Sequence, residues 1–231
     1  LGRPTADKHS TGGVGDKTSL IVAPIAASCG VPIAKMSGRS LGFSGGTVDK
    51  MESIPGFRVE LSSEEFLAAV EYSGMAIISQ TADVAPADKK IYAIRDVTGT
   101  IENISLITSS IMSKKLASGS DAIVLDVKCG KGSFNKTEDA AKRLGEMMVE
   151  IGNRAGKKTV AIITDMNQPW GSAVGNNLEV MEAIDTLKCE GPADLTELSL
   201  TLSGYMIYCG GKADTPAEGR SMAEDALKSG R

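Results

Sequence analysis

Hydrophobic and polar positions along the chain alternate in short blocks separated by glycine, and the clearest block lies near the middle. Residues 122–127 are almost all apolar, which is typical of a strand buried on both faces. Thr137 can cap a following helix whose apolar side chains share one face, namely Leu144, Met148, Ile151 and Ala155. Gly156 follows this helix, and residues 159–163 form the returning strand. Such a strand-helix-strand unit predicts a parallel sheet with a right-handed crossover.

The same patterning predicts most of the remaining elements. Ser62 to Glu65 form a capping box, which predicts a helix that ends before Gly74. Further helices are expected over residues 18–29, 178–187, 195–208 and 216–228, and short strands over residues 31–36 and 75–79. The predicted fold is therefore α/β, with a mainly parallel sheet flanked by helices.

One stretch departs from this alternation. Two helical segments, residues 87–97 and 106–117, follow each other with no strand between them. We interpret residues 81–117 as an excursion into a small helical lobe, and residues 1–80 and 118–231 as the α/β domain.

Composition narrows the function and the compartment. The chain has 231 residues, a net charge of −4 and no long basic run, which argues against a nucleic-acid groove. No apolar stretch reaches transmembrane length, and the first residues lack the pattern of a signal peptide. The four cysteines are widely separated, which predicts reduced thiols in a packed interior: Cys29, Cys129, Cys189 and Cys209. We therefore expect a cytoplasmic protein with no membrane or nucleic-acid partner.

The segment from Lys8 to Ser19 has the composition of a phosphate cradle. It combines three glycines with hydroxyl side chains, two lysines and the only histidine, His9. Glycines let backbone N–H groups approach an anion, and the helix expected near Thr18 adds the positive end of its dipole. Lys8 would contribute charge, and Ser10 would contribute a hydroxyl donor. An ordinary glycine-rich turn is the alternative, and the clustered Lys, His and Ser favour phosphate.

Two more glycine-rich turns and one pair of helices add to this picture. Residues 35–39 end a predicted strand, where open α/β sheets bind ligands, and residues 43–50 enter a helix. On the excursion, Tyr92 shares a helix face with Arg95, and Ser110 shares one with Lys114. The N–H and O–H groups of Arg95, Ser110 and Lys114 are suited to donate hydrogen bonds to carbonyl oxygens and to a ring nitrogen that carries negative charge.

At these residues the sequence resembles the thymidine and pyrimidine-nucleoside phosphorylase family. The matching motifs run through most of the chain: residues 7–16, 37–39, 45–47, 86–89, 95–96, 114–115, 126–128 and 164–166. The resemblance implies phosphate contacts from Lys8, His9, Ser10, Ser19, Lys35, Met36 (backbone), Ser37 and Thr47. It implies base contacts from Tyr92, Arg95, Ser110 and Lys114, with His9, Arg95 and Lys114 as the catalytic residues.

The implied reaction is phosphorolysis of uridine, deoxyuridine or thymidine, with inversion at the anomeric carbon. Inorganic phosphate is the co-substrate, no organic cofactor is needed, and the full-length enzyme is a homodimer. Family members extend beyond both ends of this chain, so the resemblance implies an incomplete α/β domain, a base-binding lobe without its N-terminal helices, and poor activity of these residues alone. An anthranilate-type phosphoribosyltransferase and a non-catalytic phosphate- or nucleoside-binding module remain the alternatives.

The resemblance also implies a monovalent cation, K⁺, held by Gly15, Trp170, Ala173 and Glu182. Lys17 departs from this pattern, because relatives carry a small hydroxyl residue at the matching position. An ammonium and K⁺ 4 Å apart would repel by ~4 kcal/mol at an effective dielectric constant near 20. Lys17 would thus replace or weaken the ion, unless its side chain points into solvent.

Overall fold

The computed structural model describes residues 2–40, 44–80, 84–100 and 103–230, apart from the side chains of Lys89, Tyr92 and Asp96. The elements of this part of the chain are, in order, β1 Ala6–Ser10, α1 Thr18–Ser28, β2 Ile33–Ser37, α2 Thr47–Glu52, α3 Ser63–Ser73, β3 Met75–Ser79, α4 Pro86–Thr98, α5 Ile104–Ala117, β4 Ala122–Cys129, α6 Glu138–Arg154, β5 Lys158–Asp165, α7 Asn176–Leu187, α8 Ala193–Cys209 and α9 Pro216–Ser229. None of the described helices is both long and apolar enough to cross a membrane.

Strand β4 is the centre of the molecule, and both of its faces are buried. It pairs in parallel with β1 on one side and with β5 on the other. Ala122 and Val124 join a core formed with α1, α8 and α9. The alternate residues Ile123, Leu125 and Val127 join a second core, formed with α5 and α6. The uninterrupted apolar run is explained by these two cores, because successive side chains of a strand point to opposite faces.

Strands β2 and β3 form a second parallel pair beside the first sheet. The backbone N–H of Ala6, at the start of β1, donates to the carbonyl of Pro32, just before β2, at 3.2 Å. Helix α3 covers this pair with Phe66 and Val70, which pack against Ala34, Ala76 and Ile78. The predicted α/β fold with parallel strands and flanking helices is confirmed, with the strands divided between two short sheets.

The helix ends follow the predicted chemistry. The Ser62 hydroxyl accepts from the backbone N–H of Glu65, whose carboxylate accepts in turn from the backbone N–H of Ser62, so the capping box is present. Gly74 ends α3 in the left-handed region (φ 80°), which residues with a side chain rarely adopt. Thr137 caps α6 through the backbone N–H of Ala140.

Two expectations were wrong. Residues 6–10 form strand β1, where the sequence had suggested only the start of a glycine-rich loop. This strand has no apolar alternation because its buried side chains include Asp7 and Lys8, which form ion pairs inside the fold. The thiols are free, but they do not all lie in the interior: Cys209 is buried and Cys189 is exposed.

Candidate active site

The alternation of side chains along β1 divides the site into two sides. Lys8 points toward α1, where its Nζ donates to the hydroxyl of Thr18 at 2.6 Å. Asp7 points the other way, toward α5, and its Oδ2 accepts from Lys115 Nζ at 2.7 Å. By the same alternation Ser10 belongs to the α1 side and His9 to the α5 side. One five-residue strand therefore serves the two predicted residue sets from its two faces.

The three glycine-rich turns converge at one end of the strands. A Cβ placed on Gly12 would lie 3.6 Å from the Ser44 hydroxyl, so the first and third turns are in contact. The second and third turns also meet, because a Cβ on Gly46 would collide with the backbone of Arg39. The N–H of Val48 in turn donates to the carbonyl of Gly38 at 3.3 Å. The structure thus brings together Gly12 and Ser44, which are 32 residues apart in sequence.

The predicted phosphate residues lie around this junction in two kinds of environment. Lys8, Ser19 and Lys35 are buried, whereas His9, Ser10, Met36, Ser37 and Thr47 are half-buried. Lys35 Nζ lies 3.4 Å from Asp7 Oδ1 and donates to the carbonyl of Lys8. Both lysines are therefore fixed by internal partners, while the half-buried hydroxyls border the accessible surface.

A buried carboxylate at the start of α1 was not foreseen from the sequence. Asp16 accepts hydrogen bonds from the hydroxyl of Thr18 at 2.7 Å and from the hydroxyl of Ser10. Burial alone would raise the pKa of Asp16, but Lys128 and Lys8 outweigh it and hold the pKa well below its usual value. Asp16 is therefore an anion that already occupies the positive end of the α1 dipole.

Asp126 and Lys128 form the buried centre of the charged network. Asp126 Oδ2 lies 2.9 Å from Lys8 Nζ and 2.9 Å from Lys128 Nζ, and its Oδ1 accepts from the Thr164 hydroxyl at 2.6 Å. Burial opposes ionisation of Asp126, yet the two lysines lower its pKa. Sequence reasoning had missed this role, although Asp126 and Lys128 stand two residues apart, and so on one face, in an otherwise apolar strand.

The surroundings of His9 decide its protonation state. The pKa of His9 lies well below its ordinary value of 6.5, first because of burial and then because four ammonium groups oppose a further positive charge: Lys115, Lys35, Lys8 and Lys114. Its imidazole is therefore neutral at pH 7 and can donate or accept hydrogen bonds. Since Lys8 and Lys35 belong to the phosphate set and Lys114 to the base set, His9 lies where the two sets meet.

The pKa of Lys35, a residue of the predicted phosphate set, is also shifted from its ordinary value. Burial lowers its pKa, Asp7 opposes this effect, and Lys115 and Lys8 reinforce it, which leaves the pKa at about 8. The Lys35 ammonium is thus charged at pH 7 and loses its proton in mildly alkaline solution.

The predicted base set lies on α4 and α5. Lys114 Nζ donates to the Ser110 hydroxyl at 2.8 Å and to Asp88 Oδ2 at 2.6 Å, which confirms that Ser110 and Lys114 share a helix face. Arg95 is buried, and its Nη1 donates to the carbonyl of Leu106 at 3.4 Å, so α4 is tied to α5. The side chain of Tyr92, and with it the predicted Tyr92–Arg95 face, lies outside the described residues.

Lys115 has no role in the predicted site beyond its place in the motif of residues 114–115, yet it joins α5 to the sheets. Besides its bond to Asp7, Lys115 Nζ donates to the carbonyl of Met36 at 3.2 Å. The Met36 carbonyl is therefore engaged inside the fold, and the residue next to Lys114 is anchored on β1 and β2.

Lys17 occupies the predicted cation site. It is buried (1% exposed), so the alternative in which it points into solvent was wrong. Its Nζ donates to the carbonyls of Trp170 and Ala173, at 2.8 and 2.7 Å, and to Glu182 Oε2 at 2.5 Å. Gly15, the fourth predicted ligand, has a positive φ (74°) and packs closely against Pro169, and its carbonyl is not among these three acceptors.

Parallel strands, converging glycine-rich turns and a helical pair beside them make up a domain of the α/β class. Residues 2–231 match the model of the glycosyl transferase family, a/b domain, and the chain belongs to this family. The chain is 58% identical to pyrimidine-nucleoside phosphorylases from Geobacillus stearothermophilus (over 224 residues) and Bacillus subtilis strain 168 (over 225 residues). It is 57% identical over 224 residues to the pyrimidine-nucleoside phosphorylase of Staphylococcus haemolyticus strain JCSC1435.

These alignments cover 97% of this chain and 52% of each relative, so the chain spans about half the length of the curated relatives it matches. Among solved structures, anthranilate phosphoribosyltransferase (TrpD) from Thermus thermophilus superimposes with a TM-score of 0.75. That superposition covers 99% of this chain and 74% of the other, at 21% sequence identity. At this identity it shows a shared fold.

Proposed function

We propose that the protein containing this chain cleaves pyrimidine nucleosides with inorganic phosphate, which releases the free base and a pentose 1-phosphate. The observation that carries the proposal is the 57–58% identity, over 97% of the chain, to enzymes named pyrimidine-nucleoside phosphorylase. The geometry supports it, because the glycine-rich turns meet at one end of the strands and His9 interacts electrostatically with lysines of both predicted sets, Lys8 and Lys35 on one side and Lys114 on the other.

On the phosphate side, the converging turns offer backbone N–H groups, and Ser37 and Thr47 offer half-buried hydroxyls. Lys8 and Lys35 lie behind them and supply positive charge at pH 7. Asp126 and Asp7 hold these two ammonium groups in fixed positions, so that little reorganisation is needed when phosphate binds. We assign Ser19 to the same anion, as a donor at the first turn of α1. We assign Ser10, at the end of β1, as a further donor once its hydroxyl turns from Asp16 to the phosphate.

On the base side, the protein must stabilise the charge that the pyrimidine gains. A phosphate oxygen forms a bond to the anomeric carbon while the bond from that carbon to the ring nitrogen breaks, and the departing base keeps the electron pair. Arg95 and Lys114 are cationic donors suited to this charge, and Ser110 is held beside Lys114. Because His9 is neutral at pH 7, we assign it a hydrogen bond from its ring N–H to a base carbonyl. The departed base anion then takes a proton from solvent water.

The finer parts of the proposal follow from this arrangement. Uridine, deoxyuridine and thymidine share the carbonyl oxygens and ring nitrogen that these donors would contact, so we propose all three as substrates. Direct displacement by phosphate gives inversion at the anomeric carbon. The free thiols of the four cysteines fit the cytoplasm, and we propose a homodimer for the full-length enzyme, as the family resemblance implies.

The test is a cleavage assay on the full-length protein with uridine and inorganic phosphate. Phosphate-dependent release of uracil, absent when sulfate replaces phosphate, is the expected result. Turnover of a pyrophosphate-activated ribose with no uridine cleavage would instead support the phosphoribosyltransferase alternative, whose fold this chain shares. Binding of uridine or phosphate without turnover would indicate a non-catalytic module.

A further inference from the structure

We infer that the Lys17 ammonium is a built-in monovalent cation that clamps the glycine-rich loop, residues 11–16, to the segment 170–175 that precedes α7. Lys17 immediately precedes α1, and its three Nζ hydrogen bonds all cross to residues more than 150 positions later. The Lys17 side chain is fully buried, so these bonds are shielded from competing water.

The ammonium group uses its full bonding capacity in this position. Lysine has three N–H donors, and the structure supplies three acceptors: the carbonyl oxygens of Trp170 and Ala173 and the carboxylate of Glu182. Carbonyl and carboxylate oxygens converging on one point are also the ligands that hard metal cations prefer. Since Lys17 Nζ already occupies that point, these residues do not fit a separate K⁺ ion.

Glu182 is itself fixed by the segment that the clamp holds. Its Oε1 accepts from the backbone N–H groups of Ser172 at 2.8 Å and of Ala173 at 3.1 Å. Burial alone would raise the pKa of Glu182, but the hydrogen bonds from Lys17 and from these backbone groups lower it. The carboxylate is therefore charged at neutral pH and neutralises the Lys17 ammonium within the fold.

A second lysine ties the same loop to α7. Lys50 Nζ donates to the carbonyls of Asp16 and Gly45, at 2.8 and 3.1 Å, and lies 3.1 Å from Glu179 Oε2. Two of the three glycine-rich turns are thus linked to α7 by buried ammonium groups. Lys17 is a positioning residue in this arrangement: it acts on phosphate through the loop of residues 11–16, whose Asp16 accepts from the Ser10 hydroxyl, an effect that rests on the proposed function.

Thermal unfolding of the full-length protein in KCl, with choline chloride holding the ionic strength constant, tests the clamp without catalysis. For the unmodified protein we expect no K⁺-specific change in Tm. Lys17→Met removes the charge at similar length and should lower Tm by roughly 5–15 °C, with no recovery in KCl. Lys17→Thr frees the oxygen ligands, so a 100-fold excess of K⁺ over its Kd should restore about 5–10 °C.

Lys142→Thr, which changes an exposed lysine of α6, is the matched control and should show neither effect. A K⁺-specific rise in the Tm of the unmodified protein would overturn the inference even if no Lys17 variant folds. An unchanged Tm for Lys17→Met would also overturn it. If Lys17→Thr recovers its Tm in KCl while the full-length protein fails to cleave uridine, the clamp stands and the proposed function falls. We expect the KM for phosphate of Lys17→Thr to fall at least threefold with added K⁺.

Discussion

Lysines that are buried and paired with aspartates are the main building blocks of the site at the residue scale. Lys8 is 2% exposed and pairs with Asp126, which is fully buried. Removing one partner of such a pair leaves an uncompensated charge and commonly costs about 3–5 kcal/mol. Asp126 also contacts Lys128, so a change at Lys8 leaves that carboxylate with one cation. Kinetic changes at these lysines are therefore best interpreted together with a measured Tm.

For Lys8→Ala we expect a KM for phosphate about 10- to 150-fold higher, which corresponds to the loss of a hydrogen bond to a charged group. The KM for the nucleoside should change little, because Lys8 lies on the α1 face of β1 and the base residues lie on the other side. Steady-state kinetics with each substrate varied in turn measures both values. Lys142→Ala serves as the surface control, and equal losses for the two substrates would contradict the assignment.

The pKa of Lys35, about 8, predicts an alkaline limit to phosphate use. As pH rises through 8, Lys35 loses its charge, and kcat/KM for phosphate should fall by up to about tenfold per pH unit. Lys35→Arg keeps its charge throughout this range and should lack the decline. A profile of kcat/KM for phosphate from pH 6.5 to 9.5 checks this prediction. A decline that persisted in Lys35→Arg would show that another group causes it.

The same pKa shift affects stability with the opposite sign. The pKa of Lys35 is lowered from 10.5, so between about pH 8 and 10.5 the unfolded chain holds a proton that the folded chain has lost. This group therefore makes the free energy of unfolding rise with pH across that window. The expected loss of phosphate use above pH 8 is consequently not accompanied by unfolding due to Lys35, and a Tm measured at each pH separates the two.

At the element scale, the sequence correctly predicted the strands and helices that are determined by the hydrophobic pattern alone. Strand β4 and strand β5 were found because each contains a continuous apolar run, residues 122–125 and 160–163. Helix α6 was found because Leu144 and Met148, both buried, follow the period of a helix. Strand β1 was missed because charge pairing, rather than apolar burial, satisfies Asp7 and Lys8. Periodicity contains no information about such pairing, which depends on residues more than 100 positions away.

Helices α4 and α5 act as one unit, and this gives a prediction for the base side. Arg95 joins the two helices through the carbonyl of Leu106, and Lys114 joins them through Asp88. Arg95→Ala and Lys114→Ala should raise the KM for nucleoside and lower kcat, by about 100-fold or more in kcat/KM, because donors to developing charge are lost. The affinity for phosphate should stay within about threefold, since the contacts of Lys8 with Asp126 and Thr18 are untouched.

Kinetics with varied nucleoside and direct phosphate-binding measurements test this prediction. Lys90→Ala, which changes an exposed residue of α4, is the control for a change on the same helix. If both variants lost nucleoside and phosphate binding in equal measure, their role would be to hold α4 and α5 in place.

At the scale of the whole molecule, the sequence predicted a glycine-rich anion site, which stays a prediction, but it did not predict the charged groups that the fold places beside it. Glycines and hydroxyls at residues 8–19 indicated an anion site because their spacing is local. The carboxylates of Asp7, Asp16 and Asp126 became visible only when the fold placed them against lysines from other elements. The position of Lys17 against residues 170–182 likewise depends on tertiary contacts, and the sequence left its orientation open.

Asp126 links β4 to β1 and β5, so its loss should affect the entire fold. Asp126→Asn would leave the ammonium groups of Lys8 and Lys128 without their shared carboxylate and should lower the free energy of unfolding by about 3–5 kcal/mol. The pKa of Asp126 is lowered from 3.8, so its contribution is complete above that pH and is lost as pH falls through the folded pKa.

Denaturant unfolding at pH 7 and at pH 3 checks both parts of this prediction. The difference between Asp126→Asn and the unmodified protein should be smaller at the lower pH. Asp214→Asn, at an exposed position, should change neither value. A variant as stable as the unmodified protein at pH 7 would show that the network tolerates an uncharged centre.

The two-faced arrangement of β1 sets a limit on how this sequence can change. In a strand, inserting or deleting one residue turns every following side chain to the opposite face. Within β1 such a change would direct a lysine toward α5 and the imidazole toward α1, and it would break the pairings with Asp126 and Lys115 together. Substitutions along β1 can be tested one at a time, but its length between Ala6 and Ser10 cannot change by a single residue without exchanging the side chains that face α1 with those that face α5.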